Sequence, residues 1–117
     1  MRMEVINDYA YAGQTIELQI GDTVQLGERT DSNGPYPNWI HCRSDKTGKT
    51  GWVAAGILTI QGNTASVSEN YTSEEMTVAA GELVDTIYEL NGWCWCKRVS
   101  DSKEAWVDKS NLKQPAG

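Results

Sequence analysis

His41 is the chain's single imidazole and Cys42 follows it directly, so the two residue types of a thiol nucleophile and its base stand side by side. Neighbours on a strand point to opposite faces, however, and such a pair cannot share a proton. Cys94 and Cys96 suggest a second chemistry, a zinc set completed by Cys42 and His41. A C-x-C pair without a matching knuckle lacks the spacing of structural zinc, and it is too short for an easy strand disulfide. Core packing by reduced thiols accounts for these positions better. No glycine-rich phosphate loop or carboxylate dyad is evident. The residues therefore predict no enzyme, no catalytic group, no metal and no cofactor. The chemistry left is that of aromatic rings, with five Trp and five Tyr but no Phe.

Composition narrows what those rings could meet. The chain has 117 residues, 16 acidic and 10 basic, for a formal charge of −6. Residues 1–60 hold five basic and seven acidic groups (−2), and residues 61–117 hold five and nine (−4). Neither half offers the Lys and Arg excess that neutralises phosphates, which argues against nucleic acid and against an anionic membrane surface. No run nears the roughly 20 apolar residues that span a bilayer, and Met1-Arg2-Met3-Glu4 does not open a signal peptide. Three Cys make an odd number, unlike a secreted disulfide framework. These features together predict a cytoplasmic protein.

The elements that position the rings come from an internal repeat. Trp39, Cys42, Trp52, Val53 and Leu58 recur as Trp93, Cys96, Trp106, Val107 and Leu112, each 54 positions later. Upstream, Gly21-Asp22 matches Gly81-Glu82 at an offset of 60, and Tyr9 matches Tyr71 at 62, so only loops have changed length. Short alternating segments such as Ile16-Glu17-Leu18-Gln19-Ile20 read as strands. Asp45-Lys46-Thr47-Gly48, Asn91-Gly92 and Ser100-Asp101-Ser102 read as turns between them. Two all-β barrels of about 55 residues each are expected, over 1–60 and 64–114, joined near Gln61-Gly62-Asn63. Period-2 geometry puts Ile40 with Cys42, and Cys94 with Cys96, on one face. Trp39, His41, Trp93 and Trp95 take the other face, toward a groove or solvent.

The order of these motifs resembles that of SH3 domains, twice over nearly the whole chain. Glu17 to Asp22, Trp39 to Arg43 and Gly51-Trp52-Val53 carry it in the first half; Glu75 to Glu82, Trp93 and Ala105-Trp106-Val107 carry it in the second. More narrowly, the chain is similar to bacterial proteins made of two variant SH3 domains in tandem. The resemblance implies two small SH3-like five-stranded barrels that bind a protein or extended peptide segment on aromatic grooves. Carried over by position, Tyr9 is the second tyrosine of the family's early motif, Glu17 the acidic residue that pairs with a ligand Arg or Lys, Trp39 the central ring and Trp52 the aromatic after the glycine. Their counterparts are Tyr71, Glu75, Trp93 and Trp106. Asn7 and Glu69 stand in place of the family's first tyrosine, Ala54 and Asp108 in place of the groove proline, and Ile57 and Asn111 in place of the last tyrosine, so the usual polyproline pockets lack walls.

Each of these residues also has a purely structural explanation. Glu17 and Glu75 suit solvated loop carboxylates as well as ligand partners. A Trp opposite its core Cys is hard to bury in so small a barrel, which favours a surface role for Trp39 and Trp93. Tyr36, between Pro35 and Pro37, sits in a loop six residues longer than its counterpart, with 18 positions from Gly21 to Trp39 against 12 from Gly81 to Trp93. It is an added groove wall or a ring capping an ordered turn, and its presence predicts that the first domain carries the stronger site. Two further functions stay open: a cell-wall module binding peptidoglycan, to which Asn91-Gly92-Trp93 and Ala105-Trp106-Val107 bear some likeness, and a protein whose exposed rings associate weakly with a second copy.

Overall fold

The computed structural model describes residues 1–34 and 36–116 and is all-β. Its strands, in chain order, are β1 (Arg2–Val5), β2 (Glu17–Leu18), β3 (Thr23–Arg29), β4 (Trp39–Ser44), β5 (Thr50–Ala54) and β6 (Leu58–Gln61). They continue as β7 (Thr64–Val67), β8 (Tyr71–Thr72), β9 (Leu83–Leu90), β10 (Trp93–Arg98), β11 (Glu104–Asp108) and β12 (Leu112–Lys113). Single 3-10 turns at Ala55–Ile57 and Lys109–Asn111 precede β6 and β12. Among the described residues no helix is long and apolar enough to cross a membrane.

The chain divides into two compact units, one inserted into the other in sequence. Gly13–Ser73 forms the inserted unit; Met1–Ala12 and the chain from Glu74 onward form the split unit. The expected boundaries, 1–60 and 64–114, assign the first twelve residues to the first repeat. In the structure those residues belong with the second repeat, and residues 64–73 belong with the first. Gln61-Gly62-Asn63, expected as the joint between domains, is a hairpin turn. Gln61 pairs with Thr64 and Leu58 with Val67, and Gly62 takes the φ of +64° that the first central position of a type II′ turn requires.

The inserted unit holds an antiparallel sheet in the order β5-β4-β3-β7-β6, with a separate ribbon of β2 and β8. Its core is Ile16, Leu18, Val24, Ile40, Cys42, Val53, Ile57, Ala65 and Val67. The split unit repeats this plan in the order β11-β10-β9-β1-β12. Its core is Val5, Met76, Val78, Val84, Cys94, Cys96, Ala105, Val107 and Leu112. Val24 and Val84, Cys42 and Cys96, and Val53 and Val107 thus occupy matching core positions, as the repeat requires. The sheets are open where closed barrels were expected: β2 and β8 are two residues each and pair with one another instead of bridging a sheet.

Alternation on the central strands follows the period-2 expectation with one exception. Ile40, Cys42, Cys94 and Cys96 all face cores, and His41, Trp93 and Trp95 lie half-buried on the opposite face. Trp39 differs, with only 6% of its surface exposed. At this position, opposite Ala54, the ring is covered and contributes to packing.

Candidate functional site

A cleft of about 260 Å³ opens on the split unit. One wall is the first arm of the chain, Asn7, Asp8 and Tyr9, which leaves β1 and bridges to Val78 through paired backbone bonds of 2.8 and 2.9 Å. The floor is the outward face of β10 and β11, carrying Trp93 and Trp106. The far wall is the 3-10 turn, with Asp108, Ser110 and Asn111, while Met76 and Val78 line the cleft from the second arm.

Local hydrogen bonding fixes each wall. Asp108 accepts from the Ser110 amide at 2.9 Å and from its hydroxyl at 2.8 Å, an Asp-x-Ser cap that starts the turn. Asn111 then clamps the first arm: its Oδ1 accepts from the Asn7 amide at 2.9 Å, and its Nδ2 donates to the Asn7 carbonyl at 3.0 Å. Asp8 accepts from the Ala80 amide at 2.8 Å, holding the two arms together. The Met76 amide donates to the Trp106 carbonyl at 2.8 Å, and the Trp106 amide to the Glu74 carbonyl at 3.0 Å, so the second arm lies along β11. Trp106 is 4% exposed, and its ring meets Tyr88 and Trp95 edge-on, at centroid distances of 5.6 and 5.2 Å.

Electrostatically the cleft is an acidic surface with one tight polar pair. The Tyr9 hydroxyl donates to Glu75 Oε1 at 2.5 Å. Burial pushes the Glu75 carboxyl above its usual range and the negative Asp108 adds to this, while the bond from Tyr9 opposes it. The Tyr9 phenol is raised by burial and by holding its proton against Glu75. Tyr9 nonetheless keeps 42% of its surface exposed, leaving ring area available beside the carboxylates. Half-open rings flanked by fixed acceptors suit a cationic and partly apolar chain segment.

The expected site residues are thus redistributed. Tyr9, Glu75, Trp93 and Trp106 come together, although Tyr9 was expected beside Trp39 and Glu75 beside Tyr71. Glu17 and Tyr71 fall in the inserted unit, where Glu17 is exposed on β2 opposite Thr72 and Tyr71 pairs with Leu18. The Tyr71 hydroxyl donates to the Trp52 carbonyl at 2.8 Å. Trp52 is 38% exposed and meets His41 edge-on at 5.1 Å. Tyr36 is exposed, and Pro35 beside it lies outside the described residues. Asp8 and Ser110 were not anticipated as site residues; the Asp-x-Ser spacing was a readable cap signal, whereas nothing local marks Asp8.

Cys42 faces the inserted unit's core, and Cys94 and Cys96 face the split unit's core. Cys42 and Cys96 are buried, and burial pushes them up to about 11 and about 12. Among the described residues no group of three or more His, Cys, Asp and Glu side chains is placed to hold a metal ion. No protein-family model matches the chain, and neither does any curated protein or solved structure.

Proposed function

We propose that the chain is a non-catalytic binding module of two SH3-like domains, of the bacterial tandem variant kind, whose split unit binds an extended peptide carrying Lys or Arg beside apolar residues. The observation that carries this reading is the cleft itself, where Tyr9, Trp93 and Trp106 meet Asp108 although they lie up to 99 positions apart (9 to 108), with Glu75 bonded to the Tyr9 hydroxyl. Exposed ring surface supplies stacking and the carboxylates supply partners for a cation. Trp93, the central ring of the resemblance, and Asn111, at the position of its last tyrosine, line the same cleft, which supports the SH3-like reading. The separation of His41 and Cys42 onto opposite faces, with the thiol held protonated, supports the non-catalytic one.

The test is amide chemical-shift mapping of the whole chain against peptides rich in Pro with Lys or Arg, matched peptides without the cation, muropeptides, and simple dilution. Shifts clustered at Tyr9, Trp93 and Asn111 with cationic peptides, weakening with salt, are expected. Shifts only with muropeptides, only on changing protein concentration, or with none of these overturn the proposal.

A further inference from the structure

The two units are completed by strands that have traded places relative to the repeat. β1 and β7 correspond at an offset of 62, since Tyr9 matches Tyr71 and Val5 matches Val67. β1 lies between β9 and β12, and β7 lies between β3 and β6, so each repeat's opening strand completes the sheet built from the other repeat's remaining strands. Registers agree position by position: Met3 opposes Val84 as Ala65 opposes Val24, and Glu4 opposes Lys113 as Ser66 opposes Thr59.

We propose that the chain has a second, sequential pairing, in which β1 joins β3 and β6 while β7 joins β9 and β12, and that Met3 and Ala65 are the residues that select between the two. The strand registers are equivalent in both arrangements, with four paired positions between β6 and β7 and two between β1 and β12. The difference in connectivity is small: the present pairing crosses between units at 12–13 and 73–74 and turns tightly at Gly62-Asn63, whereas the sequential one turns at 12–13 and 73–74 and crosses at Gly62-Asn63. Side-chain volume then decides. Ala65 is buried within the inserted unit's core, and the longer Met3 in its place would overpack that core. Met3 packs against the split unit's core, and Ala65 there would leave a void. Arg2 would also exchange its ion pair with Asp85 for a place opposite Gln25.

The arrangement bears on the cleft, whose first wall would change from Asn7-Asp8-Tyr9 to the equivalent Glu69-Asn70-Tyr71. Asn111 binds backbone atoms of Asn7, so its clamp would accept either arm. Charge would rearrange around a repeat-equivalent ring, Tyr9 or Tyr71, and the ligand preference with it.

Disulfide trapping reads the pairing directly in the full chain. Glu4→Cys with Lys113→Cys links only the present arrangement, and Glu4→Cys with Thr59→Cys only the sequential one. The present link is expected to dominate in the otherwise native sequence. Exchanging the selector residues, Met3→Ala with Ala65→Met, is expected to raise the ratio of 4–59 to 4–113 links at least about tenfold. A folded exchange variant that still gives only the 4–113 link overturns the proposal, as does one linked only between copies. Should that variant not fold, a short Gly-Ser insertion between Gly62 and Asn63 relaxes the turn instead; a folded insertion variant without any 4–59 link overturns it equally.

Discussion

Gly51 sits on β5 opposite Cys42 with almost no room above its Cα. A Cβ there would lie 2.6 Å from Ile16 Cγ2, 2.9 Å from Ser73 Oγ and 3.1 Å from Ile16 Cβ, well inside the roughly 3.5–4.0 Å of ordinary carbon contact. Neither neighbour yields easily. Ile16 is fully buried and β-branched, and its amide donates to Ser73 Oγ at 2.9 Å while the Ser73 amide donates to its carbonyl at 3.0 Å. Gly51→Ala should therefore cost about 1–3 kcal/mol of overpacking, plus about 1 kcal/mol if the Ser73 bond is displaced. It regains about 0.5–1 kcal/mol from the stiffer unfolded chain, for a net loss of about 2 kcal/mol. The split unit contains the compensated version: Ala105 stands where Gly51 does, and unbranched Met76 where Ile16 does, in the same core. Ile16→Met added to Gly51→Ala should recover about half of the loss or more. Denaturant-dependent amide exchange at Val24, Ile40 and Val53 reports on the inserted unit separately from the split unit. A Gly51→Ala loss below about 0.5 kcal/mol, or a double variant no better than the sum of the singles, would refute the reasoning.

Other expectations follow from the cleft and the cores. Tyr9→Phe removes the donor to a half-buried carboxylate and should lower stability by about 1–2 kcal/mol at pH 7, less at pH 4 where Glu75 holds a proton; equal losses in melts at both pH values would contradict this. Trp39→Ala should cost about 3–5 kcal/mol of folding stability and leave peptide binding by the folded fraction unchanged, whereas Trp93→Ala should weaken binding about tenfold at a smaller stability cost, which calorimetry of both variants would separate. Cys42 and Cys96, raised to about 11 and about 12, stay protonated at a pH where an unfolded chain's thiols, near 8.5, ionise. The stability this adds is whole below about pH 8.5 and lost as pH climbs toward 11 to 12. Alkaline denaturation checks it, as does thiol labelling, which at pH 8 should be slow at both positions until the chain unfolds.

The repeat at 54, the alternation on β4 and β10, and the burial of Cys42 and Cys96 were all determined by the sequence alone, because each depends on residues that are neighbours along one strand. Side-chain period tells which face of a strand is apolar, and five matched residue types tell that the plan occurs twice. Turn chemistry was equally local: Asn91-Gly92 turns as expected. Only the tertiary structure decided which sheet each opening strand enters. β1 and β7 present the same pattern to either slot, so the choice rests on nonlocal differences, Met3 against Ala65 and a hairpin at Gly62-Asn63 that the same residues would equally suit as a linker. Trp39 and Trp93 have identical places in the repeat, yet one is covered and the other lines a cleft, because coverage comes from surrounding segments that differ between the units. Tyr9 joined Glu75, Trp93 and Asp108 for the same reason. Local periodicity sets what a strand can pair with, while volume and chain closure over many residues choose the partner.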